Sequence, residues 1–423
     1  MTFPDTLPVP GDVVEIARAL ESAGFEAWCV GGAIRDTLLG EPNSDFDVAT
    51  SATPDVVQQM FRHTVAVGEK YGTIAVRTQR RFHEVTTFRL DVSTDGRHAV
   101  VRYGVSLDED LARRDFTINA VAYHPLRHEW RDPFGGAEDL DRRLVRAVGN
   151  PAERFTEDYL RILRAIRFAA RFDFAIETRT WEAAVATAPG LRQLSAERVR
   201  DEWFKGLRTT RSLQRLVELW WKVGAAPIWL PELVQQIEAP AIHDPDEIAP
   251  VKHTHAGEFH RRTEVLPALG ERRGSAIPRD PVLLTTLLCL DAVAVLGRLK
   301  CSRSEIARAA AIIAGPPEPD GNSPVAVRRW LAAIGDAAED LSTLWRLRHG
   351  IVPLWDPVVR GIRERGEPLT RKALAVTGVD LMEAGIPPGP QIGALLERLL
   401  SLVVDDPSLN QREVLLERAR SLA

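Results

Sequence analysis

Asp45-Phe46-Asp47 is the pair of acids with the plainest chemical use in the chain. Within the strand-like run SDFDVAT, alternation sends both carboxylates to one face and Phe46 to the other. Carboxylates presented side by side repel unless a cation lies between them, and a hard, oxygen-seeking ion such as Mg2+ is the natural partner. The plainer reading is two solvated acids at a strand end. Upstream, Gly31-Gly32-Ala33-Ile34-Arg35-Asp36 follows the apolar Trp28-Cys29-Val30 and opens a helical pattern. Backbone amides freed by glycine at a helix start can hold a phosphate, with Gly32 in the turn and Arg35 adding a charged hydrogen bond. Alone, a glycine pair there is a tight turn. Next to the two acids it favours a site for a nucleoside triphosphate. Glu84, in RFHEVTTFR, is a candidate third acid from a second strand, or else an exposed or ion-paired strand charge.

Further on, the run from Asp110 to Ala120, DLARRDFTINA, sets Arg113 and Arg114 before an apolar stretch. Such a pair binds a triphosphate or sits in solvent, and its position after the other motifs decides for the first. Glu157-Asp158-Tyr159-Leu160-Arg161 then begins the helical run RILRAIRFAARF. At about 100° per residue, Arg161, Arg164, Arg167 and Arg171 share an arc of about 120°, opposite Ile162, Ala165, Ile166, Ala169 and Ala170. Solvated arginines on an amphipathic helix satisfy that pattern, for Arg167 and Arg171 above all. For Asp158 and Arg161, one turn apart, a sharper reading exists: an acceptor beside a fork of donors. Cytosine (N4 amino, N3) and adenine (N6 amino, N1) satisfy both groups. Guanine and uracil present the opposite pattern and leave both unsatisfied.

The elements that must position these residues fall into two parts. From about Phe25 to His124 short β-branched runs alternate with helical ones, which reads as a small α/β unit. After about Asp139 helical periodicity continues to the end, with turn formers clustered at 149–155, 238–253 and 315–324. A length of 423 residues calls for two to four structural units, and 45% hydrophobic with 27% charged residues is a globular balance. Nothing approaches the roughly 20 apolar residues of a membrane span, and Met1 to Pro10 lacks the blocks of a signal peptide, so a cytoplasmic protein is expected. Cys29, Cys289 and Cys301 have no CxxC spacing and read as buried fillers. A net charge of −5 means that any nucleic-acid site is local. Arg198, Arg200, Lys205, Arg208 and Arg211 could track RNA phosphates or form a solvated helix face.

In order and spacing, GGAIRD, DFD, ARRDFTINAVAY, DPFGGAEDL, EDYLRILRAIRF and AERVRDEWFK resemble the bacterial class II CCA-adding tRNA nucleotidyltransferase and poly(A) polymerase family, over roughly Glu26 to Leu207. The resemblance implies an α+β protein: a small polymerase-beta-like nucleotidyltransferase head with a mixed sheet (1–140), then an all-α neck that reads the incoming base (141–208), body (209–320) and tail (321–423), the last two holding tRNA. By motif position Asp45 and Asp47 match the metal-binding carboxylates, and Gly32 and Arg35 the nucleotide-contacting turn. Arg114, with Arg113 beside it, matches the RRD arginine; Asp158, Arg161, Arg164 and Arg167 match the helix that reads base and phosphate.

The implied activity is template-independent addition of C, C and A to the 3′ end of tRNA from CTP and ATP, by two-metal phosphoryl transfer with Mg2+. Addition of CC or A alone, or of poly(A), are the alternatives within the family. The room for a flexible loop from Asp91 to Asp108 favours full CCA addition. Some relatives carry a phosphohydrolase domain after the neck. Here Cys289 and Leu290 stand where its His and Asp would be, His253, His255 and His260 have poor ligand spacing, and no such activity is expected. An inactive RNA-binding protein is the reading from another class. Retention of both DFD acids and of Asp158 with Arg161 argues against it, and a dinucleotide-binding oxidoreductase lacks its GxGxxG fingerprint. Oligomeric state is left open.

Overall fold

The computed structural model describes residues 3–41, 45–68, 72–78, 81–94, 99–234, 278–349 and 351–422. The chain forms two compact units, Met1–Pro231 and Glu232–Ala423.

In the first unit, α1 (Gly11–Ser22) buries Val13, Ile16, Ala17 and Leu20, the one-sided spacing of a helix laid on a sheet. Next come β1 (Ala27–Val30), α2 (Gly32–Leu38), β2 (Asp47–Thr50), α3 (Pro54–Met60), β3 (Thr64–Gly68), β4 (Thr73–Arg77) and β5 (Phe82–Thr87). With β8 (Ala122–His124) and β9 (Glu129–Arg131) these strands make a sheet in the order β3-β4-β5-β2-β1-β8-β9. It is mixed: β2 and β5 run parallel and their neighbours antiparallel. Alternation sorts its residues. Ala27, Cys29, Val48, Ile74, Val76 and Val85 pack with α1 and α3, while Trp28, Val30, Ala49 and Ala122 face Leu107, Leu111 and Val148.

Two local expectations change. β2 starts at Asp47, so Asp45 and Phe46 precede the strand instead of lying within it, although Phe46 is still buried in the core. The segment read as an open loop carries β6 (Arg89–Thr94) and β7 (Ala99–Tyr103), a hairpin with one register shift between Asp91 and Ser93. Its β-branched residues favour pairing over an irregular course. From there α4 (Leu107–Ala112) starts at a Ser106–Glu109 capping box and leads into the arginine pair.

The helical part of this unit has α6 (Pro151–Glu157), α7 (Leu160–Phe172), α8 (Thr178–Thr187), α9 (Ala196–Thr209) and α10 (Leu213–Lys222), after the short α5 (Gly136–Asp141). The run expected to be one helix from Glu157 is broken. Asp158 leaves helical geometry at φ −153°, and its Oδ1 accepts from Leu160 N. An aspartate that bonds the backbone two residues on offers the chain a turn in place of helix.

The second unit is helical among its described residues. Its helices start at side-chain caps such as Asp280, Asp291, Ser302, Ser323 and Thr377. One core gathers around Trp330, Trp355 and Ile362, another around Leu381, Leu399 and Leu415. In the degenerate phosphohydrolase-like stretch Cys289 is buried and Leu290 exposed, and Asp291 caps a helix through Ala294 N. Burial, and then the charge of Glu232, push the Cys289 thiol far up. His253, His255 and His260 lie outside the described residues. All three cysteines are free and buried. Among the described residues no helix is long and apolar enough to cross a membrane.

Candidate active site

The sheet assembles the acids. Val48 of β2 pairs with Val85 of the parallel β5, so Asp47 and Glu84, one residue earlier in each strand, lie side by side on the same face. Asp45 stands just before β2, exposed like Glu84. Burial raises the Asp47 carboxyl to about 7; the negative charges of Glu84 and Asp45 add to this and Arg114 opposes it. The candidate third acid therefore shares the field of the DFD pair.

Gly31 is the residue the sequence reading passed over in favour of Gly32. Its φ of +81° suits the turn from β1 into α2, and a Cβ there would lie 3.2 Å from Arg114 Nη1 and 3.8 Å from Asp47 Oδ2. Glycine at this position lets the arginine and the aspartate close on the backbone. At Gly32 the nearest such atom is Arg35 Nη2, at 3.4 Å.

Asp110, 1% exposed, organises the arginine pair. It accepts from Arg113 Nε at 2.9 Å, from Arg114 Nη2 at 3.3 Å and from Arg89 N at 3.3 Å. Burial works to raise the Asp110 carboxyl, but Arg113 and Arg114 bring it below the usual range. Arg114 Nη1 also donates to Asn119 O at 3.3 Å, while its Nε is buried without a partner. The two arginines are held, not solvated. The i, i+3 and i+4 spacing of Asp110, Arg113 and Arg114 was the signal that could have revealed this.

Arg35 is placed differently from the expectation. It is 4% exposed, its Nε and Nη2 donate to Asp36 Oδ1 at 2.8 and 2.7 Å, and its Nη1 donates to Asn119 Oδ1. The guanidinium carbon lies 4.8 Å from the ring centres of both Phe168 and Phe172. Its donors are thus turned into the domain, joining α2 to α7.

The arginines of α7 each hold a carboxylate, so the face expected to contact base and phosphate, or else to be solvated, is internally paired. Arg161 Nη1 donates to Glu157 Oε2 at 2.6 Å and its Nη2 to Arg113 O at 3.2 Å. Arg164 Nε donates to Asp115 Oδ2 at 2.6 Å, Arg167 Nε to the buried Glu202 at 2.6 Å, and Arg171 Nη2 to Asp36 Oδ2 at 2.9 Å. Burial works to raise the Asp115 carboxyl, yet Arg164, Asn119 and the Phe116 amide hold it at about 2. Asp158 and Arg161 flank the break between α6 and α7. Asp158 Oδ2 accepts from Arg198 Nη2 of α9 at 2.7 Å, a partner that no local spacing discloses.

Comparison with known proteins places this geometry. Residues 27–146 match the poly A polymerase head domain, 173–237 the "Probable RNA and SrmB- binding site of polymerase A", and 362–419 domain 2 of tRNA nucleotidyltransferases. The fold and site define a nucleotidyltransferase with a polymerase-beta-like head and a largely helical remainder. The chain is 34% identical over 415 residues to the CCA-adding enzyme of Levilactobacillus brevis, covering 95% of each protein. Against that of Streptococcus suis it is 46% identical over 210 residues, 47% of this chain and 51% of that protein. It matches the crystal structure of the Bacillus stearothermophilus CCA-adding enzyme in complex with CTP at a TM-score of 0.78 and 31% identity, covering 97% of this chain and 98% of that one. The chain belongs to the CCA-adding enzyme family. The kinship thus extends well beyond the segment that carried the sequence resemblance.

Nucleotidyltransferases of this kind depend in general on a divalent metal. The donor set suits one: Asp45, Asp47 and Glu84 offer hard oxygens, and Asp47 is raised by burial first and then by the charges of its two neighbouring acids. Among the described residues no three His, Cys, Asp or Glu side chains stand close enough to hold an ion by themselves.

Proposed function

We propose that this chain adds C, C and A to the 3′ end of tRNA from CTP and ATP, without a template and with release of pyrophosphate, in the cytoplasm. The observation that carries the reading is Asp47, raised by burial and by two neighbouring acids, beside the Gly31 turn and Arg114. The CCA-adding relatives, one of them in complex with CTP, support the choice of substrates.

Asp45 and Asp47 would hold Mg2+, with Glu84 adjoining. Mg2+ commonly takes one or two carboxylates and completes its shell with substrate phosphates and water. When bound, it lowers the pKa of the RNA 3′-hydroxyl and offsets charge gathering on the triphosphate. Arg114 and Arg113, fixed by Asp110, would meet the triphosphate from the other side; Gly32 belongs to the turn beneath it. Arg35, Arg164 and Arg167 act here through the positions they enforce on α2, α7 and α9.

Asp158 would accept the amino group of cytosine or adenine while Arg161 donates to the adjacent ring nitrogen. Each carboxylate oxygen has two lone pairs, so Asp158 can take a base donor while Leu160 N and Arg198 remain bonded. We further assign 1–140 as head, 141–208 as neck, 209–320 as body and 321–423 as tail, the last two contacting tRNA.

The test is product length. Purified chain is given tRNA lacking its last three nucleotides, or ending in one or two C residues, with CTP, ATP or both plus Mg2+. Addition of C, C and A that then stops is expected. A single A on the CC end only, two C residues without A, or a long A tail would each replace this reading with another of the same family, and no addition would overturn it.

A further inference from the structure

The face of the sheet that carries Asp47 and Glu84 continues past them toward β3, buried at Ala75 but exposed, among the described residues, at Val65, Arg77 and Phe82. Ala75 of β4 pairs with Glu84, and Val65 of β3 with Ala75, so Val65, Ala75, Glu84 and Asp47 form one row across four strands. In the row beside it Arg77 pairs with Phe82. His63 carries that row onward by accepting, at its carbonyl, from Arg77 N. Phe82 is 49% exposed and Val65 50%; Arg77 and His63 are exposed too.

Phe82 is the one aromatic ring among the exposed large apolar side chains of the described residues. Its neighbours say what kind of cover fits. An exposed ring beside a cationic side chain is a surface on which single-stranded nucleic acid binds, a base stacking on the ring while the cation meets a phosphate. Phe82 and Glu84 are two residues apart on one strand face, about 7 Å. That is comparable to the reach from a ribose 3′-oxygen across its own base.

We propose that Phe82, with Arg77 beside it on β4, is the platform on which the 3′-terminal base of the RNA acceptor stacks, bringing its hydroxyl to the Asp47–Glu84 row. This rests on the nucleotidyltransferase reading above and adds to it a site for the acceptor, separate from the helix assigned to the incoming base. Stacking on a ring tolerates any base, as an enzyme whose acceptor ends first in the tRNA's own last nucleotide and then in C requires. Arg77 takes a phosphate of the same strand.

The experiment compares the unaltered chain with Phe82→Ala and Phe82→Trp, using tRNA ending in CC, ATP and Mg2+, and a second acceptor whose last nucleotide is abasic. For Phe82→Ala the KM for tRNA rises on the order of tenfold, as for loss of one base–aromatic stack, while the KM for ATP is unchanged. Phe82→Trp restores it. The abasic acceptor raises the KM of the unaltered chain similarly but costs Phe82→Ala little more. An unchanged tRNA KM in a folded Phe82→Ala protein, or penalties that simply multiply, overturns this inference alone. Failure of the unaltered chain to extend any acceptor overturns it together with the functional reading.

Discussion

Arg164 Nε lies 2.6 Å from Asp115 Oδ2, tying α7 to the residue that follows the arginine pair. Asp115 is almost wholly buried and spends its other oxygen on Asn119 Nδ2 and the Phe116 amide. The bond is therefore one of the ties between the segment after the arginine pair and the helix that carries Arg161.

Removing one member of such a pair strands the other. Arg164→Ala should cost about 3 kcal/mol at neutral pH, measured by urea unfolding, and Arg164→Ala with Asp115→Asn should recover much of it. The Asp115 carboxyl is held at about 2, below its ordinary 3.8, so its stabilisation is present above 3.8 and lost as pH falls through about 2. The gap between the unaltered chain and Arg164→Ala should close over that window.

Asp47 has the opposite sign. Raised to about 7 from 3.8, it favours the fold fully below 3.8, and that contribution is lost as pH rises through 7. Without divalent ions, the melting temperature of Asp47→Asn should exceed that of the unaltered chain at pH 8, and the two should converge toward pH 4. Mg2+ should raise the melting temperature of the unaltered chain above that of Asp47→Asn at pH 8. Asp45→Ala and Asp47→Ala should both abolish nucleotide addition while remaining folded by circular dichroism.

Gly31→Ala should be far more harmful than Gly32→Ala. The first forces a side chain into left-handed backbone and toward Arg114 at 3.2 Å, costing about 1–2 kcal/mol of stability. Displacing that guanidinium should also reduce kcat on the order of a hundredfold, because errors of about 1 Å in positioned charge cost that much. At Gly32 the nearest neighbour lies at an ordinary 3.4 Å, so stability and kcat should change by less.

Base choice should follow Asp158 and Arg161. Truncating either to Ala removes a contact worth roughly 1–3 kcal/mol for the correct base, so discrimination of CTP over UTP should fall by about tenfold to a hundredfold. Competition assays with both nucleotides would check it. If either variant kept full discrimination, base reading would have to lie elsewhere.

Much of this architecture is legible in local pattern. Alternation in TIAVR and HEVTT gave the strands, and the spacing of Val13, Ile16 and Leu20 a helix face. The glycine turn, the DFD acids and the arginine pair could be found because each is contiguous. What escaped is what the fold brings together from afar. Arg167 meets Glu202 and Arg198 meets Asp158 across helices, and Arg35 is enclosed by rings of α7. Periodicity assigns a face to an arginine, not a carboxylate to bond it, and so the pairing of the α7 arginines within the protein is not legible from their spacing. The break at Asp158 escaped for a local reason instead: one side chain capping one amide outweighed helical pattern on both sides.

That break has a bearing on how such a chain can vary. With Asp158 between two helices and Arg161 the second residue of α7, the angle between acceptor and donor is inherited from the course of the backbone. Lengthening α7 by one residue between them would turn the guanidinium through about 100° around the axis, whatever the inserted residue. Insertions and deletions in this short stretch should therefore be rarer among descendants of this gene than exchanges of the side chains around it, and its length is a stricter heirloom than its letters.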